Sequence, residues 1–114
     1  MNPYDVAQFL IDQGLHNQME YSGLAESIKG HIKYNTITMI GDMDAVAIWN
    51  MDTPEVAHVI DVAIKSKSSK YLIQLIKLSV GKFPTIKYLR FERGLKGKKM
   101  KLVKVSKFLK GEVK

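Results

Sequence analysis

The residues with the clearest chemical potential form a short polar loop. Residues 65–70 read Lys-Ser-Lys-Ser-Ser-Lys, so three amines alternate with hydroxyl groups, and both kinds of group bind phosphate oxygens. An amphipathic helix is predicted to begin directly afterwards, with Ser68 or Ser69 as its N-cap. Because a helix N-terminus presents backbone N–H groups to anions, the loop is predicted to bind phosphate or another concentrated negative charge.

The distribution of charge supports the same prediction. Residues 1–64 carry two lysines and nine carboxylates, whereas residues 65–114 carry sixteen lysines and arginines and two carboxylates. The halves therefore have net charges of −7 and +14. Such asymmetry favours polyanion binding, although lysines that only solubilise the surface or protect an edge strand would give the same count.

Composition limits the class of protein. The chain has 114 residues and 46% hydrophobic content, which suits one domain spanning 1–114 with a modest core. It has no cysteine, so disulfides, thiolate metal sites and cysteine nucleophiles are excluded. We find no signal-peptide pattern and no apolar run long enough to span a membrane. We therefore expect a soluble protein of the cytoplasm or of a virion interior, with no membrane partner.

Periodicity predicts an α/β (α+β) fold. Asn2 and Pro3 begin a helix that Gly14 closes, and a second helix lies within residues 17–29 with Gly30 as its stop. A crossover helix is predicted at 70–82, a short basic tail at about 106–114, and strands at 36–40, 45–51, 58–64, 85–92 and 100–105.

The arrangement of these elements defines the predicted sheet. The first two strands form a hairpin, and Trp49 within it is expected to fill the core. Strand 58–64 is rich in Val and Ile and is predicted to be central and buried on both faces. The unit of strand 58–64, helix 70–82 and strand 85–92 can place two parallel strands side by side.

This order of elements resembles the GNAT superfamily of N-acetyltransferases over roughly residues 5–105. The stretch from Phe83 to Arg93, followed by a basic strand, is similar to small GNAT-like proteins of tailed bacteriophages, many without an assigned activity. The resemblance implies a mixed, mostly antiparallel sheet of about five strands with two N-terminal helices and one crossover helix. It also implies acetyl-CoA as cofactor.

In that family, the central strand binds the pantetheine arm and the following loop binds the pyrophosphate. The family loop is usually rich in glycine, which lets the backbone approach the phosphate, but residues 65–70 contain none. Carried over by position, the resemblance implies that the cofactor-binding residues are Val62, Ala63, Ile64, Lys65, Ser66, Lys67, Ser68, Ser69 and Lys70.

An acetyltransferase needs a base for the attacking amine, and the candidates are Asp61, Glu92 and His58. Asp61 interrupts an apolar strand, where a salt bridge to a lysine or exposure on an edge is the alternative role. Glu92 lies near Arg90 and Arg93, which favours a structural ion pair. Tyr88 is a candidate acid or an ordinary core tyrosine. No metal site is expected, because the three histidines lack ligand spacing.

A second class of function is nucleic-acid binding. A lysine series near the C-terminus would contact phosphates without reading sequence, since no nucleic-acid-binding motif is present. A third class is a structural or virion protein that retains the fold without catalysis. The sequence does not determine the oligomeric state, and a dimer is one of the states it allows. The residues predicted for nucleic-acid contact are Lys96, Lys98, Lys99, Lys101 and Lys104.

Overall fold

The computed structural model describes residues 1–66, 68–93 and 99–109, with residues 92, 93, 99 and 100 described by their backbone alone. Helices are α1 (Pro3–Asp12), a 3-10 turn (Gln18–Glu20), α2 (Tyr21–Tyr34), α3 (Ser69–Lys82) and α4 (Val105–Leu109). Strands are β1 (Ile37–Ile40), β2 (Ala45–Thr53), β3 (Val56–Ile64), β4 (Tyr88–Arg93) and β5 (Lys99–Lys104). The mixed α and β fold class is confirmed.

The strands form one sheet in the order β1-β2-β3-β4-β5. All neighbours are antiparallel except β3 and β4, which are parallel because α3 carries the chain from one to the other. The predicted crossover and the predicted β1–β2 hairpin are therefore both confirmed. In the hairpin turn, Gly41 and Met43 adopt positive φ angles of 58° and 60°.

The N-terminal helices confirm one predicted boundary and correct another. Asn2 Oδ1 accepts a hydrogen bond from Tyr4 N at 2.9 Å and Pro3 is the first residue of α1, as expected of an N-cap. The prediction that Gly30 stops the second helix was wrong. α2 continues to Tyr34 because Ile28 and His31 extend its buried face, and the helix ends where Asn35 adopts a left-handed conformation.

The C-terminal tail predicted for residues 106–114 was wrong in its first part. Residues 105–109 form α4, because Val105, Phe108 and Leu109 have the spacing of one helix face. All three pack against the side of the sheet that α3 covers. Residues 110–114 of the predicted tail lie outside the described residues.

Helices cover both faces of the sheet. On one face, Val6, Ala7 and Leu10 of α1 and Ala25 and Ile28 of α2 pack against side chains of β1, β2 and β3. On the other face, α3 and α4 pack against a second set of strand residues that includes Trp49 and Ala57. Trp49 is 3% exposed, which confirms its place in the core.

β3 is the middle strand of the order, as predicted, but its predicted burial on both faces was wrong. Only Ala57 and Ala63 of its nine residues are fully buried, whereas the first five residues of β2 are all buried. The reason is that β2 has a partner strand along both edges, whereas β4 pairs with β3 over only three residues.

Candidate ligand site between the parallel strands

The ladder between β3 and β4 ends after three residue pairs. Val56 faces Tyr88, Ala57 faces Leu89 and His58 faces Arg90, and the register between the two strands goes no further among the described residues. β4 instead continues along β5 as far as Arg93 opposite Lys99. The edge of β3 from Val59 to Ile64 therefore lacks a described strand partner on the β4 side, and such an edge can pair with an extended ligand.

An irregularity in β3 lies next to the point where the strands separate. Ile48 of β2 faces Asp61 and Trp49 faces Val59, so Ile60 is an extra residue in the ladder. Ile60 is 44% exposed. A bulge of this kind bends its strand and re-aims the neighbouring side chains. As a result, Val62 packs on the α3 face, whereas Asp61 and Ala63 belong to the α1/α2 face.

An apolar cavity of about 270 Å³ lies between α3 and the sheet at this same point. Val59 and Phe91, the first residues of β3 and β4 beyond the paired segment, both line it. α3 contributes Leu72, Leu75 and Ile76, and Phe108 of α4 lies at another side. Ser79 is the single hydroxyl residue among the described residues of the lining, and its Oγ is hydrogen-bonded to Thr38 Oγ1 at 2.9 Å.

Trp49 also lines the cavity and carries an unpaired polar group. Its Nε1 is buried and has no hydrogen-bond partner among the described residues. The indole ring packs edge-on against Phe83, with the ring centroids 6.2 Å apart. A buried N–H group without an acceptor is destabilising, and this nitrogen has almost no surface through which a ligand could reach it.

The predicted phosphate loop lies at the C-terminal end of β3, beyond the point where the ladder ends. Ser68 is the N-cap of α3, as predicted, and its Oγ accepts a hydrogen bond from Lys70 N at 3.3 Å. Lys65 N donates to Asp44 O at 2.9 Å and Tyr71 N to Ser68 O at 3.1 Å. Three amides of this segment therefore already donate within the protein and are not available to an anion.

The remaining residues of the predicted cofactor site divide between strand, loop and helix. Val62, Ala63 and Ile64 end β3, and Lys65, Ser66, Ser69 and Lys70 are exposed. Lys67 lies outside the described residues. The amines of Lys65 and Lys70 are thus free to reach solvent at the end of the strand, where a phosphate could meet them.

Asp61 lies in a carboxylate and histidine cluster instead of forming the predicted alternative salt bridge to a lysine. Its Oδ2 is 2.9 Å from Nε2 of His16, and Nδ1 of His16 is 3.4 Å from Oε2 of Glu20. Burial lowers the pKa of His16, but the hydrogen bond and charge of Asp61, together with Glu20, more than offset it and raise the pKa above 6.5. No local pattern in the sequence indicates His16, because 45 residues separate it from Asp61.

The other proposed catalytic residues do not gather around Asp61. Tyr88 pairs with Val56, which precedes Asp61 by five residues in β3. At about 3.3 Å per residue, Tyr88 therefore lies roughly 16 Å from Asp61 along the strand. His58 Nδ1 lies 3.9 Å from Asp52 Oδ1, and Arg90 donates to Asp52 Oδ2 at 2.9 Å. Glu92 faces Met100 in the β4–β5 ladder, and its side chain is outside the described part of the structure.

The predicted nucleic-acid residues belong in part to β5, the edge strand of the sheet. Lys101 and Lys104 are exposed, and Lys99 pairs with Arg93 through its backbone. Lys96 and Lys98 lie outside the described residues. Exposed lysines on an edge strand also protect that edge from pairing with another chain, so their position fits both interpretations.

Two further properties bear on the class of ligand. Within residues 1–66, 68–93 and 99–109, no group of three or more His, Asp or Glu side chains could hold a metal ion. None of the helices in the described part of the chain combines the length and the apolar character that a membrane crossing needs.

Comparison of the chain with protein-family models, with curated proteins and with solved structures gives no significant match. The GNAT resemblance therefore stays a prediction, and the function has to be argued from the geometry of the site.

Proposed function

We propose that this chain binds an acyl-CoA in a GNAT-like manner, along the edge of β3. The observation that carries the proposal is the end of the β3–β4 ladder at His58 and Arg90, beside an apolar cavity. A strand edge without a strand partner offers alternating N–H and C=O groups to an extended amide-containing ligand, and the pantetheine arm of CoA is such a ligand.

The charged end of the ligand is assigned to the loop after β3. Lys65 and Lys70 are exposed there, and α3 begins at Ser69. Because the amides of Lys65 and Lys70 already donate within the protein, the amines would supply most of the attraction for phosphate. This dependence on side chains is compatible with a loop that has no glycine.

Acyl transfer is the second part of the proposal. Asp61 follows the bulge in β3 and would accept the proton of an amine that attacks the thioester carbonyl. The amide bond forms, the C–S bond breaks, and the proton passes to the departing CoA thiolate. Nε2 of His16 lies 2.9 Å from Oδ2 of Asp61, so part of the hydrogen-bonding capacity of this carboxylate is already used. Ligand binding is therefore the primary claim, and N-acetyltransferase activity depends on it.

Calorimetric titration and thermal unfolding with CoA and acetyl-CoA test the binding claim. A ligand that binds only the folded state adds about 2.7 kcal/mol at a hundredfold excess over its dissociation constant. The double variant Lys65→Ala/Lys70→Ala should lose most of the affinity. The matched control is Lys101→Ala/Lys104→Ala, which removes the same charge from exposed lysines of β5 and should bind as the wild type does. No stabilisation at millimolar CoA would refute the proposal.

Nucleic-acid binding is the second candidate, and the exposed lysines of β5 favour it. It reverses the roles of the two double variants, because affinity for a random duplex would then fall most in Lys101→Ala/Lys104→Ala. It also requires affinity to fall steeply between about 50 and about 200 mM salt. If neither CoA nor the duplex binds, a structural role, in a virion or elsewhere, is the remaining interpretation.

A further inference from the structure

The cavity at the end of the β3–β4 ladder is larger and more apolar than an acetyl group requires. An apolar cavity of about 150 Å³ remains dry and binds benzene, so one of 270 Å³ can hold an apolar group of roughly ten carbons. Its side chains come from α3, from β2, β3 and β4, and from α4. An acetyl group would leave most of this volume empty.

The described lining of the cavity offers an apolar chain a surface with almost no polar groups. Trp49 lines the cavity with its ring and is 3% exposed, while its buried Nε1 lacks an acceptor among the described residues. Water is a poor occupant of this space, since a bound water needs two or more polar contacts and the described lining residues are apolar except for Ser79. An apolar chain fits the volume and the lining of the cavity.

We propose that the cavity binds a medium-length acyl chain of about ten carbons, with the Trp49 ring forming part of its wall. This inference rests on the proposed function for the CoA part of the ligand, but not for the chain itself. It changes the substrate class from acetyl-CoA to medium-chain acyl-CoA.

Titration of the protein with acetyl-, hexanoyl-, decanoyl- and palmitoyl-CoA tests the inference. Each additional pair of buried methylene groups should raise the affinity roughly tenfold, up to about decanoyl, with no further gain for palmitoyl. Trp49 is the only tryptophan of the chain, so its fluorescence reports directly on the cavity. Equal affinity for acetyl- and decanoyl-CoA would overturn the inference and leave the proposed function standing.

Free decanoate separates the two proposals further. If decanoate binds and changes the Trp49 fluorescence while no CoA compound binds, the acyl-chain site is supported and the CoA function is refuted. If neither decanoate nor any acyl-CoA changes the fluorescence or stabilises the fold, both are refuted.

Substitutions in and near the cavity test where the acyl chain of the ligand binds. Ala57→Leu extends a lining side chain into the cavity and should weaken decanoyl-CoA binding at least tenfold, and acetyl-CoA binding much less. The control Leu78→Phe adds bulk on the same helix as Leu75, but Leu78 is 44% exposed and is not among the lining residues of the cavity. This control should have the same affinities for the four acyl-CoA compounds as the wild type. Equal decanoyl-CoA affinity in the wild type and folded Ala57→Leu would contradict the assignment.

Discussion

The two faces of the sheet differ in how completely they are packed. On the α1/α2 face, Val6, Ala7, Leu10 and Ile28 are almost fully buried against the strands. On the α3 face, a cavity of 270 Å³ remains between helix and sheet, and the N–H of Trp49 has no described acceptor. Empty apolar volume is unfavourable at about 24 cal/mol per Å³. One face is thus closely packed, whereas the other retains the volume in which we propose that a ligand binds.

The faces also differ in their polar groups. The α1/α2 side carries ionisable contacts, namely His16 with Asp61 and His31 with Thr36 at 2.8 Å. The α3 side has a neutral hydroxyl pair, Thr38 with Ser79. The α3 side also has an ionisable contact, from Lys82 Nζ to Ile37 O, and burial lowers the pKa of Lys82. The stability that comes from the histidine contacts should therefore depend on pH, and the stability that comes from the hydroxyl pair should not.

The largest expected effect compares one leucine on each face. Leu10 and Leu75 are 0% and 1% exposed, so both are fully buried, but Leu75 lines the cavity. Leu10→Ala should cost about 4 kcal/mol of unfolding free energy and Leu75→Ala about 2 kcal/mol, because Leu75 already lacks contacts on one side. Urea unfolding measures both. Equal losses would show that the α3 face is as well packed as the other.

A smaller effect is expected from the hydroxyl pair on the α3 face. Ser79→Ala leaves the buried Thr38 hydroxyl without its partner and should cost about 1 kcal/mol. The loss should be the same at about pH 5.5 and about pH 9, because neither group ionises in that range. The control is Ser66→Ala, an exposed serine whose loss should be near zero. A loss that changes with pH would show that the stability contributed by the hydroxyl pair depends on pH, as it does for the histidine contacts of the other face.

The sequence predicted the elements whose signals are local. The N-cap at Asn2, the β1–β2 hairpin and the cap of α3 at Ser68 depend on neighbouring residues, and each is where the pattern indicated. The end of α2 was missed, because a glycine such as Gly30 is tolerated within a helix when the buried face continues past it. The helix at residues 105–109 was missed because five residues are too few to show a clear period.

The candidate site was harder to predict than the fold. The parallel strands and the lysine loop follow from the order of elements, but the cavity depends on where the β3–β4 ladder ends, and that is a property of tertiary packing. The pairing of His16 with Asp61 joins residues far apart in sequence, so no local pattern indicates it. The lack of an acceptor for Nε1 of Trp49 is likewise not predictable from the sequence, because a tryptophan in an apolar strand normally indicates a core residue.

The smallest expected effect tests the ionisable contact on the α1/α2 face. Burial lowers the pKa of His16, but Asp61 and Glu20 raise it further, so the folded protein holds this proton more tightly than the unfolded chain, whose histidine has a pKa of 6.5. The resulting stability is fully present below pH 6.5 and is lost as pH rises through the higher folded pKa. His16→Gln keeps a hydrogen-bond donor for Asp61 and removes the charge.

His16→Gln should therefore cost about 0.5–1 kcal/mol at about pH 5.5 and almost nothing at about pH 9, with the value kept small because His16 is partly exposed to solvent. Burial lowers the pKa of His31, which gives the opposite pH dependence, but His31 is present in both proteins and cancels in their difference. Urea unfolding at the two pH values measures the effect. A difference that grows with pH would mean that His16 is neutral in the folded protein. Its contact with Asp61 would then not add stability to the α1/α2 face at low pH.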